Sequence, residues 1–383
     1  MRIEKVRANK ILDSRGEESL EIELVTSAGV HKAKVPQGKS RGSGEASVLT
    51  HEEIEEHLEE IGDKLLTTWQ SVEEIEELIG PSNLGLGVAM AVTRAFADEA
   101  GCSLSDYLRK EYFPDATTKI PFIFANVING GEHSTNNLEI QEFMFVLDSG
   151  VDLEGGVESM VHFYKRLGEM LKADFGIDPL PLGDEGGYDI NFADSWQPLK
   201  YLTRVVEENG LPGLHLAMDC AANSYYENGI YNLGGQDYSP AELLDEYARV
   251  VGETPLIMSI EDPFMESDGE SFQAMRERLP NTWIVGDDLT VTNAERIKKY
   301  GENNSINAVI IKPTQAGSVS ATCRAILSAR NVGIKTIISH RSAEVADNFI
   351  IDLAHASGAD AVKIGAPIHE RVEKYNHLLR LYR

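Results

Sequence analysis

Six residues able to do acid–base or metal chemistry close six short β-branched runs. Leu214 to Met218 leads into Asp219, Leu256 to Ile260 into Glu261, and Trp283 to Gly286 into Asp287. Ala308 to Ile311 leads into Lys312, Thr336 to Ser339 into His340, and Ala361-Val362 into Lys363. Three carboxylates gathered in one place repel one another unless a cation sits among them. An oxygen-only set without a nearby cysteine suits Mg²⁺ better than zinc. A lysine beside a divalent cation and a second lysine is expected to have its ammonium pulled below the ordinary value, so that Lys312 or Lys363 could act as a base. Gly183-Asp184-Glu185-Gly186-Gly187 adds a carboxylate between glycines, in a turn tight enough to bring Glu185 close to a ligand. On residue types alone, separate salt bridges and a plain surface turn remain open as alternatives.

The elements that position these groups follow from their spacing. Successive groups lie 42, 26, 25, 28 and 23 residues apart, and all but the first interval fit one strand plus one helix. Segments such as Pro240 to Val250 and Ala321 to Arg330 supply helices. Repeated β/α units with functional side chains at the carboxyl ends of strands describe a TIM-like barrel, whose mouth would gather all six. The preceding part has a different, α+β pattern. Leu20 to Val25 alternates like a half-buried strand, with Val30 to Val35 as hairpin partner across Ser27-Ala28-Gly29. Thr50-x-x-Glu53 and Ser71-x-x-Glu74 each open a helix, and Leu84 to Ala100 is apolar enough to be a buried one. The loop from Pro114 to Thr118 divides the chain, so the expected domains are 1–115, α+β, and 116–383, the barrel.

Composition excludes several other functions. Lys plus Arg number 35 and Asp plus Glu 62, a net charge of −27, which opposes binding to nucleic acid or an anionic membrane. Three widely spaced cysteines, Cys102, Cys220 and Cys323, point to reduced thiols and a cytoplasmic setting. No run of about twenty apolar residues is long enough to span a membrane. Gly38-Lys39-Ser40 mimics the end of a phosphate-binding loop, but the upstream glycine that such a loop requires would fall at Ala33.

Read in order, the motifs resemble those of the enolases. They are Asp13-Ser14-Arg15-Gly16, Asn129-Gly130-Gly131-x-His133, Gln141-Glu142-Phe143-Met144, Gly183 to Gly187, Ser259 to Pro263, Gly286 to Asn293, Ser339-His340-Arg341-Ser342 and Lys363-x-Gly365-Ala366-Pro367. The resemblance spans nearly the whole chain and marks it as similar to a divergent, shortened member of that family. It implies an α+β amino-terminal domain bearing a lid, a TIM-like barrel, and a lyase that interconverts 2-phosphoglycerate and phosphoenolpyruvate in glycolysis and gluconeogenesis. By resemblance Lys312 is the base and Glu185 the acid, with Glu142 beside it and His340 near the reacting groups. Asp219, Glu261 and Asp287 would hold one Mg²⁺, and Ser40 would touch a second that arrives with substrate. Arg341 and Ser342 would grip the phosphate, Lys363 would neutralise the substrate carboxylate, and His133 and Gln141 would line the pocket. A homodimer is implied as well, with Glu21 and Arg380 as one intersubunit pair, although Asn9 stands where the family has an arginine.

The loop Pro36-Gln37-Gly38-Lys39-Ser40-Arg41-Gly42 departs from the family's Pro-Ser-Gly-Ala-Ser-Thr-Gly, three small residues having become Gln37, Lys39 and Arg41. The second reading is therefore a paralogue that uses the same chemistry on a different phosphorylated or hydroxylated acid. A third is a non-catalytic binding protein on the same fold.

Overall fold

The computed structural model describes residues 1–39, 42–210 and 212–383. The chain opens with an antiparallel sheet of β1 (Ile3–Leu12), β2 (Glu18–Thr26) and β3 (Gly29–Val35). Val25 pairs with Val30 and Thr26 with Gly29, which is the expected hairpin, while β1 is an added strand that its charge-rich sequence concealed. Helices α1 (His51–Leu65), α2 (Val72–Ile79), α3 (Asn83–Glu99) and α4 (Leu104–Tyr112) follow. Thr50 and Glu53 form a reciprocal cap at the start of α1, and Ser71 caps α2 through the Glu74 amide. Helix α3 buries almost its entire surface because it lies between this sheet and the barrel.

The barrel follows, with its outer helices. Its first half contains β4 (Phe122–Asn129), β5 (Glu142–Leu147), α5 (Leu153–Phe175), α6 (Gln197–Asn209) and β6 (Leu214–Asp219). A small surface sheet of β7 (Tyr226–Glu227), β8 (Ile230–Leu233) and β9 (Gln236–Tyr238) precedes α7 (Pro240–Glu253). The second half contains β10 (Ile257–Glu261), α8 (Gly269–Arg278), β11 (Trp283–Gly286), α9 (Ala294–Glu302) and β12 (Ala308–Ile311). A short α10 (Pro313–Ala316) and α11 (Val319–Asn331) lead to β13 (Lys335–Ser339), α12 (Phe349–Ser357), β14 (Ala361–Lys363) and α13 (Val372–Leu381).

Eight strands close in the order β10-β11-β12-β13-β14-β4-β5-β6. The ring departs from the simple repeated pattern at one strand. Strand β5 runs antiparallel to both neighbours, whereas the other pairs are parallel. The long first interval, from Asp219 to Glu261, has a separate cause: the small sheet β7–β9 is inserted there ahead of α7. Phe124, Met144, Val146, Ala217, Val285 and Ile310 pack inside the ring, while Ile123, Phe145, Val309 and Ile338 pack outward against the helices. Alternate residues on a strand face opposite sides, so this parity decides which polar side chains reach the mouth.

A buried carboxylate, Glu76, and a half-buried one, Asp347, tie the first sheet and helices to the barrel. Glu76 of α2 accepts the Val319 amide at 2.5 Å and the Ser320 amide at 3.2 Å, satisfying the free N–H groups at the start of α11. Asp347 accepts from Arg94 Nη2 of α3 at 2.7 Å and from the Lys34 amide of β3 at 3.0 Å.

Candidate active site

Strand parity carries most of the site to one opening. Asp219 follows Ala217, Asp287 follows Val285, Lys312 follows Ile310 and Lys363 follows Ala361, each two residues beyond an interior-facing side chain. Asn126 likewise follows Phe124. Because β5 is reversed, its first residue reaches the same end: Glu142 is the Cα partner of Asp219. A rule that looks only at the last residues of strands misses Glu142, whose place depends on the antiparallel register.

Lys363 is 2% exposed and is the hub of the cluster. Its Nζ lies 3.0 Å from Glu142 Oε2, 3.0 Å from Asp219 Oδ2 and 2.9 Å from Glu261 Oε2. Burial opposes its charge, but these three carboxylates hold the ammonium well above its usual range. Lys312 donates to Asp287 Oδ2, and its amide is anchored by Thr292 Oγ1 at 2.9 Å. Gln315, one turn on, donates to Asp287 Oδ1 at 2.8 Å. The expectation of a lowered Lys312 is not met in this arrangement. Burial pushes it down, yet contact with Asp287 more than offsets that and raises it.

Glu185 and Glu142 are both buried and converge on His133, with candidate ligand atoms of the three within 4.8 Å of one another. Asn126 Nδ2 donates to Glu185 Oε2 at 3.0 Å, and His340 Nε2 lies 3.4 Å from the same oxygen. His133 Nδ1 is 3.6 Å from Glu142 Oε1 and from Glu185 Oε1. The two carboxyl groups are driven apart in acidity. Burial and the neighbouring Glu185 charge push Glu142 well up. Burial pushes Glu185 up too, but His340 and His133 overcome it and hold Glu185 well down. These directions favour a proton on Glu142 over one on Glu185. Burial lowers both histidines, His133 and His340, from their ordinary value.

Arg341 Nη1 donates to Glu45 Oε2 and to Thr314 Oγ1, each at 3.1 Å. The loop before Glu45 is pinned on the same segment. Gln37 and Ala343 exchange backbone hydrogen bonds at 3.1 and 3.2 Å, and the Lys39 amide donates to Ser342 Oγ at 3.2 Å. A Cβ on Gly38 would fall 1.7 Å from Arg341 Nη2, so any side chain here would force the guanidinium and the loop apart. Lys39 Nζ reaches to 3.6 Å from Asp184 Oδ2. Ser40, expected to touch a second Mg²⁺, lies outside the described residues, as does Arg41.

A cavity of about 270 Å³ opens beside this cluster, lined among others by Lys39, Gln141, Asp219, Asp287 and Asp288. The three expected ligands, Asp219, Glu261 and Asp287, occupy neighbouring strand ends but are currently engaged by lysines. Among the described residues the carboxylates that converge with Asp287 are Asp262 and Asp288. Asp262 serves the backbone instead, accepting the Asp287 amide at 2.9 Å and the Asp288 amide at 2.7 Å. The donor set still fits a hard divalent cation. Five buried carboxylates, Glu142, Glu185, Asp219, Glu261 and Asp287, face two ammonium groups, Lys312 and Lys363. The carboxylates outnumber the ammonium groups, and burial together with Asp219 pushes Glu261 well up, the signature of charge lacking compensation.

Sequence reading missed Asn126, Glu45, Thr314 and Arg371. Asn126 carried a signal, a lone amide inside an apolar strand; the others become visible only through contacts between distant segments. Comparison with known proteins agrees with this architecture. Residues 3–82 match the family model "Enolase, N-terminal domain", and residues 117–383 match "Enolase, C-terminal TIM barrel domain". Proteins named enolase from Methanosarcina mazei and Methanosarcina acetivorans are each 37% identical over 410 residues, covering 99% of this chain and 94% of the relative. The enolase of Methanopyrus kandleri is 37% identical over 418 residues, covering 99% and 95%. With both family models and such full-length likeness, the chain belongs to the enolase family and is a hydro-lyase.

Proposed function

We propose that this protein is a phosphopyruvate hydratase, reversibly dehydrating 2-phospho-D-glycerate to phosphoenolpyruvate. The observation that carries this reading is the opposition of base and acid across the mouth. Lys312 extends from β12 and Glu142 begins β5, four places apart in a ring of eight strands. A small acid bound between them meets an amine on one face and a protonated carboxyl on the other, which suits an anti elimination.

In the forward direction the C2 proton passes to the Lys312 amine, and its bonding pair forms the C2–C3 double bond. The C3–O bond breaks, and the departing hydroxide leaves as water with a proton from the Glu142–Glu185 pair. Lys312 reaches C2 only as a free amine, so its bond to Asp287 is a resting contact that the substrate complex must replace. Lys363 neutralises the substrate carboxylate, on which charge accumulates during proton removal. Arg341 and Ser342 take the phosphate, the guanidinium fork matching its oxygens. His133 and Gln141 line the pocket, and His340 steadies Glu185. Mg²⁺ held by Asp219, Glu261 and Asp287, with Ser40 at a second ion, would supply positive charge that stabilises the developing dianion.

The α+β unit over 1–115 carries the loop and the unit over 116–383 the barrel. The family resemblance supports a homodimer; Glu21 and Arg380, its expected pair, bond within this chain to Lys32 at 3.0 Å and to Glu373 at 2.7 Å. No helix among the described residues is long and apolar enough to cross a membrane, and the three cysteines are unpaired, which supports a cytoplasmic setting. Lys39 beside Asp184, in place of a small residue, favours one second reading, a different phosphorylated acid as substrate.

The test is formation of phosphoenolpyruvate from 2-phosphoglycerate with Mg²⁺, measured for the wild-type protein and Lys312→Ala. Turnover should fall by at least about 10²-fold in the variant, with loss of C2 proton exchange. No wild-type turnover on this acid, with turnover on another, would replace the first reading by the second.

A further inference from the structure

Arg371 stands between β14 and α13 and is 2% exposed. Its Nε donates toward His340 Nδ1 at 3.4 Å, its Nη2 donates to the Ser342 carbonyl at 2.9 Å, and its Nη1 pairs with Glu370. The space for it is made by Gly365. A Cβ there would lie 2.5 Å from Arg371 Cδ and Nε, and the φ of +73° disfavours any other residue.

A guanidinium has donors and no acceptor. The imidazole nitrogen that meets it must therefore be the acceptor, and here that nitrogen is Nδ1. The ring proton is then on Nε2, the atom 3.4 Å from Glu185 Oε2. A doubly protonated ring would set Nδ1–H against N–H. The charged groups that face His340 are Glu185 from the Gly-rich turn, Arg371 from the segment before α13, and Glu344 from its own loop. Two carboxylates draw a proton toward the ring, and the fixed cation opposes them on the Nδ1 side.

We propose that Arg371 is a positioning residue that locks His340 in the neutral Nε2–H tautomer, aimed at Glu185, while holding the Ser342 carbonyl in place. It touches neither the substrate pocket's metal ligands nor the reacting atoms. Through His340 it orients the acid side of the site, and through Ser342 the phosphate side. This deepens, and rests on, the hydratase reading given above.

The experiment uses full-length protein labelled with ¹⁵N-histidine, with the His340 signals identified by their loss in His340→Gln. The resting wild-type ring should show a protonated Nε2 and an unprotonated Nδ1 throughout the neutral pH range. A protonated Nδ1 would overturn the proposal with no variant needed. In Arg371→Met the ring should populate the second tautomer or take up charge, and kcat on 2-phosphoglycerate should drop by about ten- to a hundredfold, in the range seen when an orienting partner is lost. KM should change less than kcat. Arg371→Lys, also a pure donor, should restore the tautomer at least in part. A tautomer and kcat unchanged in both variants would refute the assignment. If wild-type protein fails to turn over 2-phosphoglycerate, the hydratase reading falls, while the tautomer measurement still decides the role of Arg371.

Discussion

Replacing Lys363 by methionine isolates the electrostatics of the barrel mouth. Methionine keeps the length and most of the volume of the side chain, so packing changes little. What disappears is one ammonium that lies within 3.0 Å of Glu142, Asp219 and Glu261, each of them buried. Removing one partner of a buried charged group costs about 3–5 kcal/mol, because the opposite charges stay behind uncompensated. At about 2.1 cal/mol/K of unfolding entropy per residue, each kcal/mol moves the melting midpoint of a chain this long by roughly 1.2 °C, so Tm should fall by about 4–6 °C. Scanning calorimetry in a chelator reads this directly. A divalent cation can supply the missing positive charge. At a free Mg²⁺ concentration of a hundred times Kd, binding should return about 2.7 kcal/mol to the variant. A shift below about 2 °C in chelator would mean that these carboxylates do not depend on Lys363, and the charge accounting at the mouth would be wrong. Mg²⁺ that stabilises wild-type but not the variant would show that the lysine helps to build the cation site instead of competing for its ligands.

Two further outcomes test the frame around the site. Asp347 is pushed up by burial, but Arg94 and the amides of Lys34 and Phe349 hold its carboxyl below the usual range. A group depressed in the folded state stabilises fully above its unfolded value, and loses that contribution as pH falls through its folded value. Asp347→Asn should therefore cost roughly 2 kcal/mol at neutral pH and flatten the acid side of a Tm–pH curve below about pH 4. Equal slopes in both proteins would refute this contribution. Gly38→Ala should drive the loop away from Arg341, and the displacement should lower kcat/KM by about a hundredfold on the phosphorylated acid. Full activity would show that the loop's close approach to Arg341 is not used in turnover.

The chemistry-bearing strand ends were legible because a barrel imposes a regular interval and a fixed parity. Lys312 and Lys363 stand out as lysines at the ends of apolar runs, and the three-carboxylate set stands out for its like charge. The hairpin of β2 and β3, the caps at Thr50 and Ser71, and the buried helix α3 were also local matters of periodicity and capping. Strand β5 was not legible. Its sequence, Glu142 to Leu147, is equally compatible with either direction, and only its pairing with β4 and β6 reverses it. The behaviour of Lys312 escaped as well, since a lysine's acidity depends on its nearest charge, and that charge proved to be Asp287.

By itself the sequence determined which groups are available, their order along the barrel and the family to which they belong. Those follow from residue type, spacing and short motifs, all local in the chain. Tertiary structure alone decided how the groups share charge: Lys363 among three carboxylates, the split between Glu142 and Glu185, and Arg371 against His340. Coulomb interactions and hydrogen bonds act over a few ångströms through space, and residues that meet there, such as Lys363 and Glu142, are separated by as many as 221 positions in the chain.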